Sequence, residues 1–283
     1  MPELPEIETF RRNFLYGKSR DPLPFEEPLV GKRVLDADLL WERTLSAPEP
    51  EVFKTRIAGQ LIRDIGRRGK YLLLKLSTDV LAIHLRMSGD LIVESSTTPI
   101  AKHHRLLLNF DDGSRLALND TRKFGRVWLT KDVHTLLSHL GPEPLDDTFT
   151  AEVLYEKLQN RRRQIKPLLL DQRFLAGMGN IYTDEALFYA ALHPKTIAST
   201  IPRKKANLLW TGIRSVLQEG VRHNGASIDW VYRGGDFQNY FQVYHRAGEP
   251  CSRCKTPIEK IIVGQRSTHI CPTCQKTGAG VCK

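Results

Sequence analysis

No run in the 283-residue chain is long and apolar enough to span a bilayer as a helix. The richest, around Leu72-Leu73-Leu74, meets a charge within a few residues. The first eight residues carry Glu3, Glu6 and Glu8 and lack the basic start and apolar stretch of a signal peptide, so a cytosolic address is expected. Cysteine is scarce: five residues in a chain of this length do not make a disulfide framework and suit metal ligation or free thiols. Acidic side chains are outnumbered, 32 Asp+Glu against 42 Lys+Arg, for a formal charge of +10. Internal repeats and low-complexity tracts are also missing. What remains is 41% apolar and 26% charged, a globular mixture that excludes wholesale disorder and by its length suggests two domains.

The periodicity divides the chain. Over residues 5–15, Ile7, Phe10 and Phe14 fall at helical spacing behind Pro5, which suits a first helical turn, so a short helix opens the protein. A polar, proline-containing stretch over 17–28 follows. Residues 30–130 carry leucine-rich and β-branched runs separated by turn signals, Asp112-Gly113 being the clearest hairpin, and read as an antiparallel β-sandwich. Gly141-Pro142-Glu143-Pro144 marks a linker, after which helices are expected over 151–163, 165–171, 180–191 and 203–223. From Tyr240 onward short β-like runs surround cysteine pairs.

Those pairs carry the strongest signal. Cys251-x2-Cys254, sixteen residues, then Cys271-x2-Cys274 is the spacing of a four-cysteine zinc ribbon, because two knuckles then close a tetrahedron of thiolates around one Zn²⁺. His269 is a conceivable substitute, but four thiolates complete the shell, and Cys282 is read as a free thiol. Residues 251–283 hold six Lys+Arg and one Glu, half of the chain's excess positive charge, so the module is built to meet an anion. Basic clusters at Arg67-Arg68-Lys70, Arg122-Lys123-Arg126, Arg161-Arg162-Arg163-Lys166 and Arg203-Lys204-Lys205 point, together with the ribbon, to a nucleic-acid partner. Gly177-Met178-Gly179-Asn180 opens a helical pattern, where backbone amides and a helix N-terminus suit a phosphate.

A small second residue favours removal of Met1, which would expose the secondary amine of Pro2. With a pKa near the α-amino value of about 8, far more of it is unprotonated at neutral pH than of a lysine, and such an amine condenses with an aldehyde to an iminium. Glu3 and Glu6 lie close enough along the chain to move protons around it. From composition alone the same residues are only a helix start with favourable glutamates.

Met1-Pro2-Glu3-Leu4-Pro5-Glu6-Ile7-Glu8-Thr9 resembles the opening of the formamidopyrimidine-DNA glycosylases, bacterial enzymes that remove oxidised purines. Further matches follow in order: Arg68-Gly69-Lys70-Tyr71-Leu72-Leu73, His84-Leu85-Arg86-Met87-Ser88-Gly89, Asp120-Thr121-Arg122-Lys123-Phe124-Gly125, Gly177-Met178-Gly179-Asn180-Ile181-Tyr182 and the terminal cysteine finger. The resemblance implies an α+β protein: an N-terminal antiparallel β-sandwich with an opening helix, a helix-two-turns-helix domain and a four-cysteine zinc finger, with double-stranded DNA crossing between domains. The expected divisions are 2–135 for the catalytic sandwich, 136–149 for the linker, 150–239 for the helical DNA-binding domain and 240–283 for the finger.

It also implies a monomeric bifunctional glycosylase/AP lyase of the bacterial cytoplasm and nucleoid. Pro2 would attack C1′ of the damaged nucleotide and leave a Schiff base that undergoes β,δ-elimination. Glu3 would serve as general acid/base, Glu6 would position the terminus and Lys70 would hold a phosphate. Met87, Arg122 and Phe124 would fill the stack vacated by the extruded base. His84, Asn180, Tyr244 and Arg266 match family positions and would contact DNA, as would Lys166 of the basic cluster noted above, and Ser227, Ile228, Tyr232 and Arg233 would lie near the extruded base. The polar stretch over 17–28 is longer than the family's usual link, and Thr121 and Lys123 stand where proline and arginine are frequent. Two rivals remain at this stage: an endonuclease VIII-type enzyme for oxidised pyrimidines, disfavoured by Leu4 and by the intact Met87, Arg122 and Phe124 set, and a non-catalytic DNA-binding paralogue, disfavoured by Pro2, Glu3, Glu6 and Lys70.

Overall fold

A computed structural model of the protein describes residues 2–20, 23–227 and 234–276. They form two compact units, the first running to Ser138 and also including Ser227 and Gly234, the second holding His139–Ala226 and resuming at Gly235.

The first unit opens with α1 (Leu4–Tyr16). Pro5 occupies its first turn, and Leu4, Ile7, Phe10 and Phe14 form the buried stripe, as the spacing predicts. The polar stretch that follows pairs as a small antiparallel hairpin, β1 (Lys18–Arg20) with β2 (Leu23–Glu26), an element the sequence does not announce because its strands are short and Pro24 lies within one of them. Next come β3 (Val34–Leu39), β4 (Leu45–Ala47), α2 (Pro50–Ile57), β5 (Asp64–Arg68), β6 (Tyr71–Lys75), β7 (Val80–His84), β8 (Gly89–Ser95), β9 (His104–Phe110), β10 (Ser114–Asp120), β11 (Arg126–Thr130) and α3 (Val133–Leu137).

One sheet has the order β3-β9-β10-β8 and the other β4-β11-β7-β6-β5. Asp112-Gly113 turns β9 into β10, as expected. Two features depart from a purely antiparallel β region. The short edge strand β4 runs parallel to β11, which is possible because the pair is joined by a long excursion of chain and not by a tight turn. Helix α2 also interrupts the strands; Pro50 at its start and Phe53 and Ile57 one turn apart are a helical signal overshadowed by its leucine-rich surroundings.

Alternate residues of each strand fill a common core: Leu72 and Leu74 from β6, Leu81 and Ile83 from β7, Leu106, Leu108 and Phe110 from β9, Leu116 and Leu118 from β10, and Val127 and Leu129 from β11. Ile7, Phe10 and Phe14 of α1 close it. Burying each such side chain contributes about 1.5–3 kcal/mol, so this core fixes α1 against β5 and β6.

The second unit contains α4 (Ala151–Gln159), α5 (Ile165–Leu169), α6 (Asn180–Tyr189), α7 (Arg203–Arg222) and the hairpin β12 (Glu259–Val263) and β13 (Arg266–Ile270). All four expected helices are present. Helix α4 stops four residues early because Arg161-Arg162-Arg163 offers no apolar position to extend its buried stripe. Its N-cap Thr150 accepts the Val153 N–H. Helices α6 and α7 pack closely: a Cβ on Gly220 would lie 2.5 Å from the Tyr182 ring, so only glycine permits the approach. No helix among the described residues is long and apolar enough to cross a membrane.

Candidate active site and zinc centre

In the first unit the start of α1 is sunk into the protein. Pro2 is buried, and Glu3 and Glu6 are each only 2% exposed. Glu3 has extended backbone geometry at the N-cap, and Glu6, three residues on, accepts the Glu3 N–H on Oε2 at 2.7 Å. Glu8, two residues further, binds Arg67 of β5 at 3.2 Å and Arg11 at 2.7 Å. Although burial raises the Glu8 carboxyl pKa, these guanidiniums outweigh it and leave the pKa below its usual range. The Glu8–Arg67 pair ties the helix to the β5–β6 hairpin. Gly69 and Lys70 form that hairpin's two-residue turn, Gly69 in the left-handed region at φ 55°, and Lys70 is buried at its tip.

His84 ends β7, in register with Tyr71 of β6, and the Tyr71 ring packs edge-on against it at 4.7 Å. Burial, with Arg86 and Lys70 nearby, drives its pKa down to about 3. The imidazole is therefore neutral at physiological pH. Since Nδ1 accepts the Arg86 N–H at 3.0 Å, the ring proton sits on Nε2, the nitrogen available to donate to an anion.

Met87, Arg122 and Phe124 stand on two loops, β7–β8 and β10–β11. Met87 and Phe124 are exposed, at 37% and 45%. The Arg122 guanidinium lies 5.1 Å from the centre of the Phe124 ring. Sequence reasoning singled out these three but missed the pair beneath them. Asp120, 1% exposed, accepts from Ser88 Oγ at 2.5 Å, from Arg122 N–H at 3.1 Å and from Gly125 N–H at 2.7 Å. Both residues were visible in the quoted motifs, but nothing in their spacing marked them.

In the second unit Asn180 is the first residue of α6 and donates from Nδ2 to the Ser267 carbonyl at 3.0 Å, with the Tyr244 hydroxyl at 3.5 Å. The neighbouring Arg266 is exposed at the start of β13. Lys166, counted above among the DNA contacts, is fully buried. Its ammonium pairs with the equally buried Asp184 at 2.6 Å and donates to the same Ser267 carbonyl at 3.0 Å, so it ties α5, α6 and β13 together instead of presenting a charge to solvent. Asp184 and Glu185 are charged residues inside a helix that reads as apolar, and sequence reasoning missed both. Asp184 also accepts the His269 N–H. Glu185 accepts the backbone N–H groups of Gln242, Val243 and Tyr244 and so pins the segment carrying Tyr244; burial raises its carboxyl pKa against the pull of those three bonds.

The four cysteines converge: their sulfurs lie within 4.8 Å of one another. Ligands about 2.3 Å from a tetrahedral Zn²⁺ stand about 3.8 Å apart. Here Cys254–Cys271, Cys254–Cys274 and Cys251–Cys274 measure 3.4, 3.6 and 3.9 Å. Backbone N–H groups of Arg253 and Cys274 point at Cys251 and Cys271 sulfur, each at 3.4 Å. This is a site able to hold one zinc ion. His269 lies apart from it, against Asp184, while Ile228, Tyr232, Arg233 and Cys282 fall outside the described residues.

These features define a class: a two-unit α+β protein that pairs a β-sandwich, with carboxylates buried at its leading helix, with a helical domain and a zinc finger. Three family models match consecutive stretches: the formamidopyrimidine-DNA glycosylase N-terminal domain over 1–127, the H2TH domain of the same glycosylases over 140–231, and a zinc finger found in FPG and IleRS over 248–277. The formamidopyrimidine-DNA glycosylase of Chloroflexus aurantiacus is 47% identical, with 98% of each chain covered. That of Protochlamydia amoebophila is 41% identical over 98% of this chain and all of the other. Among solved structures, wild-type Lactococcus lactis Fpg bound to DNA containing N7-benzyl-Fapy-dG superposes with a TM-score of 0.89 at 35% identity, covering 98% of this chain and all of that one. The chain belongs to the formamidopyrimidine-DNA glycosylase family.

Proposed function

We propose that this protein is a DNA glycosylase and AP lyase of base excision repair, acting as a monomer on double-stranded DNA in the bacterial cytoplasm, at the nucleoid, and excising 8-oxoguanine and formamidopyrimidines. Removal of Met1 frees the Pro2 amine, which attacks C1′ of the extruded nucleotide while the base departs with a proton. Glu3 exchanges protons at the sugar as its ring opens to the iminium, and Glu6, by holding the Glu3 backbone, keeps the terminus in place. The iminium acidifies the C2′ proton, so the 3′ phosphate and then the 5′ phosphate leave by successive elimination. Lys70 and the Nε2–H of neutral His84 hold phosphates beside the lesion. Met87, Arg122 and Phe124 fill the emptied stack, at an unstacking cost of a few kcal/mol. Asn180, Tyr244 and Arg266 grip the backbone; Lys166 acts only by supporting them. Zinc supplies no chemistry beyond folding the finger that presents Arg266.

The observation that carries this reading is the pair of carboxylates at the start of α1. An ordinary helix start is capped by an exposed Ser, Thr or Asp, whereas burying two glutamates beside residue 2 incurs a desolvation penalty that a cap alone does not require. The direct test is turnover of a duplex with one 8-oxoguanine opposite cytosine, with a dihydrouracil duplex alongside. Preferential cutting of the first, leaving a one-nucleotide gap, is expected; preference for dihydrouracil would transfer the protein to the pyrimidine-directed branch, and inactivity on both would leave only DNA binding.

A further inference from the structure

We infer that Asp120 is a positioning residue that sets opposite-base discrimination and base extrusion by locking the two void-filling loops into one rigid piece. The inference rests on the proposed function for what Met87, Arg122 and Phe124 touch, but its geometry stands by itself. Asp120 is the last residue of β10, paired with Gly89 at the start of β8, so its backbone belongs to the sheet. Its N–H donates to the His103 carbonyl at 2.8 Å, and its own carbonyl accepts from Arg105 Nε at 2.8 Å. From that fixed base the carboxylate reaches both loops. Oδ1 accepts from Ser88, the residue after Met87, and from the Arg122 N–H; Oδ2 accepts from the Gly125 N–H, the residue after Phe124. Ser88 Oγ in turn lies 3.2 Å from the Arg122 N–H, so one carboxylate and one hydroxyl join the two loops.

The loops need such a lock. Arg86, just before Met87, has φ 55°, and Lys123, between Arg122 and Phe124, has φ 61°. Non-glycine residues in the left-handed region are strained and persist where the surroundings impose them. Asp120 grips the N–H groups at 122 and 125, on either side of Lys123, and so fixes the turn that stacks the Arg122 guanidinium against Phe124. A carboxylate accepts from all three donors at once. An asparagine keeps one oxygen for Ser88 and Arg122 but turns an NH2 group toward the Gly125 N–H, which cannot bond it. The loop then opens at its Phe124 end with the core intact. Side chains that must enter a DNA stack as a unit would meet it one at a time.

The test compares Asp120→Asn, Ser88→Ala and the unmutated zinc-loaded protein on three duplexes: 8-oxoguanine opposite cytosine, 8-oxoguanine opposite adenine, and a preformed abasic site that needs no base extruded. The expected result for Asp120→Asn is a fall of about tenfold or more in single-turnover excision of 8-oxoguanine, with cytosine-over-adenine preference largely lost and borohydride trapping at the abasic site within about twofold of the unmutated protein. Ser88→Ala, which removes the tie to the Met87 loop and leaves the Gly125 bond, should fall less, and the double variant should be less than additive. Both activities falling together with thermal stability, in Asp120→Asn and in Ser88→Ala alike, would overturn the inference, as would unchanged preference in both. If Asp120→Asn does not fold, Ser88→Ala decides. Failure of the unmutated protein to act on any of the three duplexes would instead refute the proposed function.

Discussion

The two ends of the chain carry their chemistry in opposite ways. At the zinc finger the sequence spells out the site: four cysteines in two pairs at fixed spacing, whose sulfurs the fold draws to within 4.8 Å of one another. At the N-terminus the proposed nucleophile and its carboxylates are three residues of a helix start, Pro2, Glu3 and Glu6, with no periodicity to mark them. A metal imposes coordination geometry on its ligands and so leaves a spacing in the sequence. An amine nucleophile needs only a terminus and burial, and burial appears only once the sheets exist.

Disturbing each end should therefore give different signatures. The largest effect is expected at the finger. Cys254→Ser, or removal of zinc by a chelator, forfeits a metal-linked folding free energy of about 10 kcal/mol or more. Affinity should fall for every duplex, damaged or not, with a shallower salt dependence, and zinc content should drop below one per chain. Unchanged affinity and salt slope would contradict a finger that contacts DNA.

Lys166 comes next. Lys166→Met leaves Asp184 buried without its partner and should destabilise the second unit by about 3–5 kcal/mol, read as a lower thermal or denaturant midpoint. The salt slope of DNA binding should not change; a slope shallower by about one would return Lys166 to the phosphate contacts.

The smallest effect is at His84. Its folded pKa, about 3, lies below the unfolded value near 6.5, so the native state binds fewer protons there. Its contribution to stability is complete above about pH 6.5 and is lost as pH falls toward 3. Acidification from pH 6.5 to 4.5 should therefore cost the unmutated protein more stability than His84→Gln, and the His84 ring should show no NMR titration between pH 8 and 5. Titration near pH 6.5 would mean an exposed, protonatable ring.

The same contrast explains what the sequence made legible. The α1 stripe of Ile7, Phe10 and Phe14, the Asp112-Gly113 hairpin and the starts of the four later helices follow from periodicity and turn chemistry, which act locally. Helix α2 and the parallel pairing of β4 with β11 were hidden because tertiary neighbours decide them. Among site residues, the cysteines were legible by spacing and Met87, Arg122 and Phe124 only through resemblance. Asp120, Ser88, Asp184 and Glu185 were not legible as site residues at all. Each works through backbone N–H groups or carbonyls brought near by folding, and such partners leave no pattern along the chain. Lys166 shows the converse: it stands in a basic run along the chain, and the fold makes it a buried tie.

The most direct measurement is borohydride trapping on a duplex with a single 8-oxoguanine opposite cytosine, using protein whose intact mass shows Met1 removed, followed by peptide mapping of the adduct. The predicted result is one covalent DNA adduct on the amine of Pro2, lost in Pro2→Gly. An adduct on a lysine, or none from protein that binds the duplex, would contradict an N-terminal proline nucleophile.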